Sequence, residues 1–135
     1  MAAFLLAGAV GLGAAGCGSE DFENKARPPV PVELSGVISE KKVTISPDKQ
    51  GAGPVTIVIS NQTKEAHTVT LEGEEVSERV GPVNPLDTAT IQKTLRPGDY
   101  RVRAGSNVAR PKEIAPARLT IGPKRDDSND KLLLP

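Results

Sequence analysis

The sequence predicts an all-β domain, a sandwich of about seven strands over residues 32–123. Three observations predict it. From Val32 onward apolar residues alternate with polar ones at a period of two. Glycine- and proline-bearing turn signals fall between the alternating segments. No segment carries a sustained helical period.

The chain opens on residues 1–16, MAAFLLAGAVGLGAAG, which hold no charge. About twenty apolar residues are needed to cross a bilayer, so this stretch is short for a span. It suits the apolar centre of a secretory signal. Ala14, Ala15 and Gly16 stand directly before Cys17, the only cysteine, so an internal disulfide is ruled out. Small residues leading into a lone cysteine resemble the bacterial lipobox. That pattern usually has Leu where Ala14 stands, and a signal usually carries Lys or Arg before this chain's first one, Lys25. The resemblance implies cleavage after Gly16 and a diacylglyceryl thioether on Cys17. Each buried methylene is worth about 0.8 kcal/mol, and two acyl chains hold where one is marginal. The expectation is a lipoprotein, anchored by Cys17 on the extracytoplasmic face of a cell membrane.

Residues 17–31 read as a tether. Pro28, Pro29 and Pro31 favour extended polyproline geometry, a semi-rigid spacer. Strand signals follow in order. Val43 and Ile45 alternate with Lys42, Thr44 and Ser46. Val55, Ile57 and Ile59 share one face. His67, Val69 and Leu71 oppose Ala66, Thr68 and Thr70. Ala89, Ile91 and Leu95 line up, with Lys93 as the misfit. Tyr100, Val102 and Ala104 oppose Arg101 and Arg103, and Ala117, Leu119 and Ile121 oppose Arg118 and Thr120.

Between them, Pro47 to Pro54 reads as a break. Asn61 to Lys64 reads as a hairpin turn, Glu74 to Arg79 as a single helical turn, and Gly81, Pro82 and Pro85 as a loop. Arg96-Pro97-Gly98-Asp99 is a tight turn, with Gly98 free to take positive φ. Residues 124–135, ending in Leu132-Leu133-Leu134-Pro135, read as a disordered tail.

Three segments together resemble a cupredoxin-like domain: ISNQTKEAHTVTLEG, TATIQKTL and LRPGDYRVRAG. The resemblance implies a Greek-key sandwich. It also implies that His67 stands at the first copper-ligand position and Ala104 at the position of the thiolate. The following loop, GSNVARPKEIAP, holds no Cys, His or Met. A blue-copper centre needs two imidazoles and a thiolate, and this chain has one histidine. The expectation is therefore the fold without that centre, and no cofactor.

Function classes narrow further. Seventeen basic residues balance seventeen acidic ones, which weighs against nucleic acid. The only aromatics are Phe4, Phe22 and Tyr100, so bases have no stacking platform. No serine sits in a nucleophile motif, and no glycine loop suits phosphate, so the chain reads as a non-enzyme. Glu72, Glu74, Glu75 and Glu78 lack the spacing of a calcium loop and read as a solvated hairpin end. Asn61-Gln62-Thr63 matches a glycosylation pattern but reads as a turn.

His67 has two readings: a structural imidazole, or a weak metal ligand or pH-sensitive group. Among Arg96, Arg101, Arg103, Arg110, Lys112 and Arg118, the trio Arg101, Arg103 and Arg118 is the candidate partner surface. It would meet anionic lipid or an acidic partner, or serve as an ordinary charged face. The sequence thus predicts a membrane-anchored, non-catalytic binding or accessory module with an envelope protein partner. Its alternatives are a weak copper or other metal carrier using His67 with partner ligands, and a structural envelope spacer.

Overall fold

The computed structural model describes residues 28–108 and 113–125. The expected leader, most of the tether, the lipidation residue Cys17 and the tail from 126 lie outside the described residues, as do Arg110 and Lys112. Among the described residues no helix is long and apolar enough to cross a membrane.

Eight strands form: β1 (Val32–Ile38), β2 (Val43–Ser46), β3 (Lys49–Asn61), β4 (His67–Glu72), β5 (Ser77–Val83), β6 (Thr88–Leu95), β7 (Gly98–Gly105) and β8 (Ala117–Lys124). One sheet runs in the order β2-β1-β3-β6. The other runs β5-β4-β7-β8, and the start of β3 pairs with β8 to join the two. Successive strands change sheets from β3 to β4, β5 to β6 and β6 to β7, giving the Greek-key order. The fold is all-β, as the alternation predicts.

The core is aliphatic because the sequence offers little else. Leu34, Ile57, Ile59, Val69, Leu71, Val102 and Leu119 are fully buried, with Tyr100 the aromatic among them. The predicted alternation holds strand by strand: β4 follows a strict buried–intermediate pattern, and β8 begins the same way with exposed residues between. Burying each Leu, Ile or Val contributes about 1.5–3 kcal/mol, so this two-sided aliphatic layer holds the sheets together without disulfides.

Four expectations need correction. First, residues 47–54 are not simply a break. β3 already starts at Lys49, pairs with β8, and changes partner at a register shift between Gly51 and Ala52. Gly53, at φ +139°, makes the corner. Arg125 clips it: its Nη2 donates to Pro54 O at 2.6 Å and its backbone N to Ala52 O at 3.2 Å.

Second, Asn61 to Lys64 does not close a hairpin, since β3 and β4 lie in different sheets and do not pair. Third, residues 74–79 form no helical turn: Ser77 begins β5. Fourth, Gly81 and Pro82 lie inside that strand, where the β4–β5 register shifts. β5 pairs with β4 alone, and a proline's missing N–H is tolerated at such an edge.

Lys93, the misfit of the alternation, sits exposed on the inward side of β6 between Ile91 and Leu95. Its Nζ reaches Glu78 of β5 at 3.2 Å. The β6 edge is thus blunted by an inward-pointing lysine, a device that discourages edge-to-edge pairing.

Candidate functional site

The sandwich has two ends. At one, Val32 pairs with Val55, Gly53 with Leu95 and Gly98 with Ile121, and Pro28–Pro31 enter here. At the other, Ile38 pairs with Asn61 and Thr68 with Gly105, and here His67 begins β4. The candidate site is at this second end.

Its scaffold is the β3–β4 crossing. Asn61 is wholly buried, with Thr63 at 5% and His67 at 4% exposure. The Asn61 amide donates to Glu65 O at 2.7 Å and to Val83 O at 2.9 Å. Its Oδ1 accepts from Thr63 N at 2.9 Å and from the Thr63 hydroxyl at 2.8 Å. Glu65 O also lies 3.0 Å from that hydroxyl, and His67 Nε2 lies 2.8 Å from it.

Thr63 Oγ1 also accepts from Glu65 N at 3.3 Å. The other ring nitrogen of His67, Nδ1, is buried and has no hydrogen-bond partner among the described residues. An unmet buried polar atom costs about 1–3 kcal/mol, so this is the site's one unsettled group.

His67 lines two hollows. One, of about 120 Å³, is bounded by Glu40, Thr63, Lys64, Glu65 and Ile114, and is too small for the drug-sized ligands that fill about 300 Å³ or more. The other is an open groove that brings His67 to Ala104, Gly105 and Ser106 of the β7 end, and to Arg101 and Arg103 on its flank. The β4–β7 register sets Ala104 opposite Val69, one pair from the Thr68–Gly105 rung. His67 and Ala104 thus line one groove, with the Ala104 methyl group on its wall. Among the described residues, no three His, Cys, Asp or Glu side chains cluster to hold a metal.

On the outer face of the β5-β4-β7-β8 sheet, Arg101 stands directly opposite Arg118, and Arg103 is exposed two residues along. Arg103 reaches Glu72 at 3.4 Å. Of the remaining acidic cluster, Glu75 binds Arg96 at 2.8 Å and Glu78 binds Lys93. All three are surface pairs; Glu72–Arg103 joins the adjacent strands β4 and β7, and the other two bridge the rim between the sheets. The sequence missed the Asn61 bond to Val83 O because that acceptor is 22 residues away in a segment that reads as loop.

No protein-family model matches the chain, and no curated protein does. Solved structures are similar to it. Auracyanin from Roseiflexus castenholzii is 12% identical with a TM-score of 0.49, covering 72% of this chain and all of its own. The blue copper oxidase from Nitrosomonas europaea is 16% identical with a TM-score of 0.40, covering 77% of this chain and 42% of its own. The copper-containing nitrite reductase from Thermus scotoductus is 14% identical with a TM-score of 0.43, covering 70% of this chain and 28% of its own. The chain spans less than half the length of these two enzymes. By its own strand order the described body is an all-β sandwich of two sheets with Greek-key connections.

Proposed function

We propose that the chain is a lipid-anchored extracytoplasmic lipoprotein, a non-catalytic binding or accessory module without a blue-copper centre. The anchor is the membrane-bound lipid on Cys17, and the partner is an envelope protein. One observation carries the reading: the groove end and the tether end of the sandwich are opposite. Pro28–Pro31 enter beside Val32, whereas His67, Ala104 and Gly105 close the far end. A domain tethered from below presents its far end and its flank outward. At that end stand a methyl and a buried imidazole rather than a nucleophile–base pair.

Site-specific photocrosslinking in membranes tests this. A crosslinker at Ser106, in the groove, is expected to capture one discrete partner. The same group at Thr56, on the outer face of the opposite sheet, is expected to capture none. Equal or absent capture at both positions would favour a mere spacer.

The unpartnered Nδ1 of His67 favours a second reading, a weak metal carrier completed by ligands from a partner. Cuprous and cupric titrations of wild type and His67→Ala separate the two. A stoichiometric site lost in the variant supports metal handling.

A further inference from the structure

Arginines that face each other across adjacent strands repel, and a sheet normally avoids the arrangement. Arg101 of β7 and Arg118 of β8 are such a pair, in direct register and both exposed. Acids stand close by but are engaged elsewhere. Glu72, the cross-strand neighbour of Arg101 on β4, reaches Arg103 at 3.4 Å. Asp99, two residues before Arg101, accepts a hydrogen bond from Thr120 at 3.3 Å. Neither the Arg101 nor the Arg118 side chain has an ion-pair or hydrogen-bond partner among the described residues. Arg79 of β5 lies in the same row as Arg103, on the other side of Thr70, and its exposed side chain too is without a partner among them. The groove that reaches His67 opens onto Arg101 and Arg103.

We infer that the Arg101–Arg118 rung is the docking point for an acidic segment of the partner, whose carboxylates sit between the two guanidiniums. This rests on the proposed binding role and names the partner's chemistry. Charge complementarity selects the occupant. Guanidinium forks match carboxylates two bonds at a time, and a carboxylate between the two arginines removes a repulsion that the free protein tolerates. A bilayer fits less well. Headgroup binding draws on clusters of about 4–8 basic residues, whereas here Glu72 and Asp99 interleave with the arginines on a strand face.

The test uses the full chain in neutral detergent with a labelled decaglutamate peptide as probe, followed by anisotropy. Binding is expected at ~0.02 M salt and is expected to fade by ~0.3 M. Arg101→Gln with Arg118→Gln should weaken it at least tenfold. Lys41→Gln with Lys42→Gln, an equal charge loss elsewhere, should leave it unchanged. A second readout separates docking from mere charge: Arg118→Gln alone should raise the melting temperature of the free protein by roughly 1–4 °C while abolishing the rise that the peptide gives wild type.

The inference is overturned by decaglutamate binding that ignores the double variant, or by binding only to phosphatidylglycerol vesicles. Stronger peptide binding after removal of residues 126–135 would also overturn it, since the chain's own aspartates would then be the occupant. If the peptide fails but crosslinks from Ser106 still find one partner, the binding role stands and only the acidic chemistry falls.

Discussion

Asn61 makes four hydrogen bonds from a position with no exposure, tying β3 to the crossing loop and to β5. Replacing it with Ala leaves Val83 O and the Thr63 groups short of partners in the interior. Asn61→Ala is expected to cost about 2–4 kcal/mol in chemical denaturation. A loss below ~1 kcal/mol would show that water takes over those bonds. Tyr100 is a milder case: its hydroxyl donates to Arg96 O at 2.8 Å, bracing the turn into β7. Tyr100→Phe keeps the ring and should lose about 1 kcal/mol by the same measurement. Sequence reading found the alternation that buries Tyr100 and His67. Three of the four Asn61 bonds are local, to Thr63 and Glu65, and fit the turn that the sequence predicts there; the fourth, to a carbonyl 22 positions on, leaves no local pattern.

At the scale of elements, the strands read most clearly where each has one buried and one solvated face. β4, β7 and β8 show that alternation in their own residues. β5 was hidden for a physical reason. Its Ser77, Glu78 and Arg79 are polar, Gly81 and Pro82 sit at a register shift, and its edge position relaxes the demand for a clean pattern. β3 was half hidden because it serves two sheets, and Gly51 and Gly53, which look like a break, mark the corner between them. Lys93 was visible only as a misfit, and its role depends on Glu78 across the sandwich rim. An exposed ion pair is worth at most about 1 kcal/mol, so its service is to the edge more than to stability. Lys93→Val should therefore leave the melting temperature within a few degrees yet promote association. Light scattering after size exclusion checks this, and a strictly monomeric variant at high concentration would contradict it.

The whole molecule has a polarity that no segment discloses alone. The polyproline entry and the clipped β3 corner occupy one end, and the His67 groove closes the other. β1 spans seven residues between them, about 23 Å at the rise of an extended strand. The arginine rung lies on the flank that leads to the groove. This polarity has a functional meaning only if the chain is held from its entry end. Cys17 precedes that end in the sequence, and under the proposed function a lipid on it would set this orientation. Mass spectrometry of the N-terminal peptide, from protein taken out of bacterial membranes, tests this most directly. The account predicts a peptide that begins at Cys17 and carries diacylglycerol through a thioether. A free thiol still joined to Gly16 would contradict it.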